Sequence, residues 1–89
     1  MIRRRLTVTN RLGMHARAAA RFVHAASGFR SRVSVSCGEK TMDGKSILGL
    51  LLLAAAQGAE MEIAVDGKDE EAAIDALSTL VEGGFGEEG

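Results

Sequence analysis

The sequence predicts a small α+β fold in which a four-stranded antiparallel sheet is covered on one face by three helices. Three observations predict it. Apolar and polar residues alternate in four short runs, apolar residues recur at helical spacing in three segments between or after them, and the order is β-α-β-β-α-β-α. A strand, a crossover helix and a second strand form a right-handed unit, and the fourth strand then fits antiparallel between the first and second. With 46% hydrophobic but only 3% aromatic residues, the core must be built from Leu, Ile, Val, Met and Ala. A chain of 89 residues buries roughly 60 to 65% of its unfolded surface, which leaves no room for a cleft of substrate size.

The elements follow in order. Ile2, Leu6 and Val8 share one parity, while Arg3, Arg5, Thr7 and Thr9 share the other, so a half-buried strand opens the chain; Arg4 is the exception, attributed to a frayed end. "NRLG" turns the chain. From Ala16 to about Ser27 the residues Ala19, Phe22, Val23 and Ala26 fall on one helical face, with Arg17, Arg21 and His24 on another, and Gly28 ends the helix. Val33, Val35 and Cys37 alternate with Arg32, Ser34 and Ser36 in a second strand, followed by a short third one near Lys40 to Asp43. Ser46 caps a second helix by accepting from the backbone N–H of Leu48 or Gly49; this helix runs from Ile47 to about Ala56. Met61, Ile63 and Val65 mark the fourth strand. Asp69 caps the last helix, whose first turn carries Glu70 and Glu71 at the positive end of the dipole, and Gly83 and Gly84 end it. Residues 1–84 are expected to form the domain and residues 85–89 a flexible acidic tail.

Charge and composition exclude several classes. Eleven Lys and Arg against twelve Asp and Glu give a net charge of −1, so no global field favours nucleic acid; Arg3, Arg4 and Arg5 are read as a charged strand edge. The lone Cys37 cannot form a disulfide within the chain, in keeping with a reducing compartment. The longest apolar run, Ile47 to Ala56, falls far short of the roughly 20 residues that span a bilayer. A cytoplasmic location is expected. His15, His24 and Cys37 match no zinc spacing, and neither a metal nor a cofactor is expected.

Two residues carry candidate chemistry. His15 directly precedes the first helix, where unpaired N–H groups and the macrodipole favour an anion. Imidazole titrates ordinarily near pH ~6.5 and is largely neutral at pH 7, so a ring nitrogen there can take a phosphoryl group. Arg17 offers a planar fork of donors for phosphate oxygens, and Gly13 permits the turn that exposes the ring. The plainer alternative is that His15 is a polar cap and Arg17 a solvated side chain. Ser46 has a full explanation as a cap, yet the leucines after it are too apolar for a helix with one buried side. An exposed apolar patch points to a partner surface. A phosphate on Ser46 suits the helix dipole but sets roughly two negative charges beside that patch.

"NRLGMHARAAA" and "DGKSILGLLLLAAAQGAEMEI", in this order and at this separation, resemble the HPr phosphocarrier family of the bacterial phosphoenolpyruvate-dependent phosphotransferase system, including its nitrogen-related NPr branch. The resemblance covers Leu6 to about Gly84. It implies an HPr-like open-faced β-sandwich of four antiparallel strands and three helices. It also implies that His15 is phosphorylated at Nδ1 by enzyme I and passes the group to an EIIA-type domain, with Arg17 stabilising the phosphoryl group. Ser46 would be the regulatory site of an HPr kinase/phosphorylase. Ala16, Ala20, Ile47, Leu48 and Leu51 would form the docking surface. A monomeric carrier, regenerated each cycle and not a stand-alone catalyst, is implied. The main departure is Ala18, where the family usually has proline. Without reference to His15, the features of Ser46 also fit a regulatory module acting on a transcription factor or metabolic enzyme, and a third possibility is an interaction domain with neither phosphorylation.

Overall fold

The computed structural model describes residues 1–87. Strand β1 (Ile2–Thr7) is followed by helix α1 (Ala16–Ser27), strands β2 (Arg32–Cys37) and β3 (Lys40–Asp43), helix α2 (Ile47–Leu53), strand β4 (Glu60–Asp66) and helix α3 (Glu70–Glu82). The sheet order is β1-β4-β2-β3, antiparallel at every pairing, so β4 lies between β1 and β2 as the order of elements predicts. Register follows parity: Leu6 pairs with Met61, Ile63 with Val35, and Val65 with Val33. All six are buried together. Against them the helices pack Phe22, Leu50, Leu53, Ile74, Leu77 and Val81.

Arg4 shares the parity of Ile2 and Leu6 without being frayed. It pairs with Ile63 in the ladder and donates to the buried Ser78 on α3 at 3.0 Å, beside Asp75 at 3.4 Å. Its long stem spans the edge of the core while its charge reaches a partner.

Helix α2 stops at Leu53, three residues before the expected end near Ala56. Ala54 adopts a left-handed conformation (φ 54°), its N–H meeting the Leu51 carbonyl. Leaving the helix there frees the Ala55 carbonyl to accept from Met14 N–H at 2.8 Å, and both residues are buried. The loop after α2 is thereby fixed beneath the turn that precedes α1.

Asp69 stands at the start of α3 but does not cap it. Its carboxylate accepts from Ser31 Oγ and from the N–H groups of Ser31 and Arg30. Those bonds, the Ser31 hydroxyl foremost, hold its pKa down at about 2. The competing entry to β2 has captured the cap residue.

The expected flexible tail from residue 85 does not describe residues 85–87; Glu88 and Gly89 lie outside the described residues. Gly84–Gly86 form a short 3₁₀ turn that buries Phe85 completely at φ 58°. A left-handed non-glycine costs about 1–2 kcal/mol, whereas burying a phenylalanine side chain gains roughly 1.5–3 kcal/mol. Burial prevails, helped by Arg21, whose guanidinium donates to the Phe85 carbonyl.

Candidate functional site

The turn Asn10–Met14 sets the position of His15. Gly13 has φ 64°, and a Cβ there would lie 2.4 Å from the Ala55 carbonyl oxygen. Only glycine allows both the turn and that approach. The buried Asn10 closes the turn by donating to the Gly13 carbonyl at 2.7 Å.

His15 then occupies the N-cap position of α1 with extended backbone (φ −81°, ψ 179°) and makes no side-chain cap bond. The Ala19 N–H reaches back to the His15 carbonyl at 2.8 Å, so the N–H groups of Ala16, Arg17 and Ala18 lie ahead of the helical ladder. The His15 side chain is 26% exposed. Its Nε2 lies 2.8 Å from Oε2 of Glu87, and Oε1 of the same carboxylate accepts from Asn10 Nδ2 at 2.8 Å. The His15 hydrogen bond, with Asn10 and the field of Arg21 adding to it, lowers the Glu87 pKa despite partial burial.

Arg17 is exposed on α1 and borders a shallow groove between α1 and α3, with Arg21 and His24 on the same rim. Among the described residues no hydrogen bond joins it to His15. Ala18 faces inward and is fully buried, while Ala16 and Ala20 are exposed. His24 thus lies on the rim of that groove. Among the described residues no group of three His, Cys, Asp or Glu side chains could hold a metal ion.

Ser46 is half-buried at the start of α2 and accepts from Gly49 N–H at 3.0 Å, the cap anticipated from sequence. Leu50 and Leu53 face the core, whereas Ile47, Leu48, Leu51 and Leu52 are exposed, Leu48 most of all at 67%. Helices α1 and α2 pack against each other, joining the His15 end to this apolar surface. Leu12, 64% exposed, adds an apolar residue in the turn before His15 that the sequence reading passed over.

Asn10 and Glu87 were also missed. Asn10 sits in a turn segment, where asparagine has many local roles. Glu87 sits in an acidic stretch that reads as a solvated end. Their meeting at His15 spans the length of the chain and leaves no local pattern.

Among the described residues no helix is long and apolar enough to cross a membrane. Residues 2–83 match the family model described as the PTS HPr component phosphorylation site. The phosphocarrier protein HPr of Xylella fastidiosa is 46% identical over 88 residues, covering 99% of both chains. The phosphocarrier protein NPr of Shewanella violacea is 38% identical, over 97% of this chain and 94% of its own. The crystal structure of HPr-C-His from Thermoanaerobacter tengcongensis superposes with a TM-score of 0.95 at 42% identity, covering 99% of each chain. A match of that extent, on a fold whose first helix begins at a partly exposed histidine, establishes that this chain belongs to the HPr family of phosphocarrier proteins of the phosphotransferase system.

Proposed function

We propose that His15 accepts a phosphoryl group at Nδ1 from phosphorylated enzyme I, itself charged by phosphoenolpyruvate, and passes it to an EIIA-type domain. The observation that carries this reading is the partly exposed His15 at the N-cap of α1, with its ring left out of capping. A phosphoryl group on Nδ1 would take the place a capping oxygen ordinarily fills, facing the N–H groups and the positive end of the α1 dipole. The exposed Arg17 is free to turn its guanidinium to the phosphoryl oxygens.

Phosphoryl transfer depends on positioning and charge stabilisation more than on covalent chemistry from the protein. A site completed by its partner therefore suffices, and the protein acts as a carrier, not as a stand-alone catalyst. Ala16 and Ala20 on α1, with Ile47, Leu48 and Leu51 on α2, supply the docking surface, which a monomer in the cytoplasm keeps open to both partners. At Ser46, phosphorylation by an HPr kinase/phosphorylase would add about two negative charges at the head of this apolar surface. Docking then weakens while the helix start, favourable to anions, persists.

The test is incubation with phosphoenolpyruvate and enzyme I. An acid-labile phosphate forms on the protein and is abolished in His15→Ala; label persisting in that variant rejects His15 as the acceptor. A second reading, a regulatory module set by Ser46 and acting on a transcription factor or metabolic enzyme, draws on the exposed leucines that follow Ser46. Acid-stable, ATP-dependent label on Ser46 with no transfer through His15 distinguishes it.

A further inference from the structure

The contact between His15 and Glu87 joins residues 72 positions apart, and its chemistry constrains the ring. An ionised carboxylate has only acceptor sites. Oε1 of Glu87 is met by the Asn10 amide nitrogen, whose other partner is the Gly13 carbonyl. Two acceptors around one amide group require its NH2 end to face both of them. With Oε1 held in that way, Oε2 is presented to His15 Nε2 at 2.8 Å, a distance typical of a charge-assisted bond. Nε2 must then be the donor. In the neutral ring the single proton is on Nε2, and Nδ1 keeps its lone pair.

We propose that Glu87 is a positioning residue for phosphoryl transfer: it selects the tautomer in which Nδ1 is the nucleophile and keeps Nε2 protonated through the whole cycle. The inference rests on the reading of His15 as phosphoryl acceptor. In the loading step the Nδ1 lone pair forms a bond to phosphorus as the phosphorus–nitrogen bond of the donor phosphohistidine breaks, its electron pair returning to the donor ring. The His15 ring becomes a phosphoimidazolium whose positive charge, at Nε2–H, is shared with the Glu87 carboxylate. In the unloading step the acceptor's nucleophile bonds to phosphorus, the Nδ1–P bond breaks, and its pair returns to Nδ1. The Nε2 proton stays in place in both directions. No base has to remove it.

The segment that delivers Glu87 is anchored at both ends of its approach. Phe85 is buried in the core and its carbonyl accepts from Arg21 on α1, one turn beyond Arg17. Asn10, 4% exposed, holds the carboxylate from the turn before His15. Among the described residues Arg21 adds a cationic field at Glu87, which steadies its ionised form.

Long-range nitrogen–proton NMR correlations of the unphosphorylated protein, at a pH where the ring is neutral, test the inference without any phosphoryl donor. The native protein is expected to show Nε2–H alone. Glu87→Ala is expected to reveal an Nδ1–H population and to slow loading by phosphorylated enzyme I about tenfold, the scale of one hydrogen bond to a charged group. Glu87→Gln keeps one acceptor oxygen where two donors, the Asn10 amide and Nε2–H, meet the carboxylate, so its NH2 group opposes one of them. It is expected to show a mixture of the two tautomers and a loading rate between those of the native protein and Glu87→Ala. Both variants retain Phe85, and unchanged resonances of Phe22 and Leu77 report the intact core. A native ring protonated at Nδ1, or a tautomer and loading rate unaffected in Glu87→Ala, overturns the proposal. Failure of the carrier reading shows differently: no label reaches His15 at all, while the tautomer comparison still reports on Glu87.

Discussion

At the start of α2 the Ser46 hydroxyl turns back on its own helix and accepts from Gly49 N–H at 3.0 Å; at the start of α1 the His15 ring instead meets Glu87, 2.8 Å away, and caps nothing. Both residues have extended backbone, and both precede a helix by one position. The difference lies in what the first N–H groups are left to do. In α2 one of them is satisfied from within, so the serine has a structural role whether or not it is ever modified. In α1 they remain ahead of the ladder, beside a ring held by a residue from the far end of the chain. A helix start that forgoes its cap gives up about 1 kcal/mol of local stability. That forgone stability marks the place where a ligand can supply the missing acceptor.

The largest way to break the contrast is Gly13→Ala. The added Cβ would sit 2.4 Å from the Ala55 carbonyl oxygen, at a backbone φ of 64°, and a left-handed alanine alone costs about 1–2 kcal/mol. With the displaced backbone included, destabilisation of roughly 3 kcal/mol is expected, read from the urea midpoint. Because the Met14–Ala55 bond ties the His15 turn to the end of α2, loading of His15 should fall as well. A variant with native stability would show that the turn has room the geometry denies.

Ser46→Ala sharpens the other half. Loss of the bond to Gly49 N–H should lower stability by about 1 kcal/mol, again measured by urea unfolding. Loading at His15 should change less than about twofold, since the removed hydroxyl is neutral and serves α2 alone. An unchanged midpoint would remove the structural role assigned to Ser46.

How far the two starts could be read from sequence follows the same division. Ser46 and its cap are legible because every group involved lies within four residues. The strands were legible for a similar reason: parity at Leu6, Val35 and Ile63 is set by a period of two, and burial then fixes register. His15 and its place before α1 were equally plain. What surrounds His15 was not. Glu87 closes on Asn10 across 77 positions, and nothing in "FGEEG" announces that Phe85 will be drawn into the core. Ala54 was hidden for a related reason: alanine favours helix, and it leaves the helical region at a point where its neighbour Ala55 serves Met14. Asp69 was placed correctly but given the wrong partner, since a carboxylate at a helix start is also free to serve another segment's N–H groups, here those of Arg30 and Ser31.

The smallest expected effect concerns Ala18, where the family usually has proline. Ala18 is the third residue of α1, fully buried, and its N–H lies ahead of the ladder that begins with Ala19 to His15. Proline there removes no ladder bond, and it restricts the unfolded chain, so Ala18→Pro should raise stability by about 0.5 kcal/mol. The same change removes a donor at one of the two positions a capping acceptor ordinarily reaches. If the phosphoryl group on His15 takes the place of that absent cap, its lifetime on the protein should shorten about two- to threefold, roughly the worth of one modest hydrogen bond. Thermal unfolding and the decay of the acid-labile label measure the two effects separately. Opposite signs, firmer fold and shorter-lived phosphate, would place the Ala18 N–H among the groups that hold the phosphoryl oxygens. An unchanged lifetime would confine that work to Ala16, Arg17 and the guanidinium, and make alanine at this position a matter of helix stability alone.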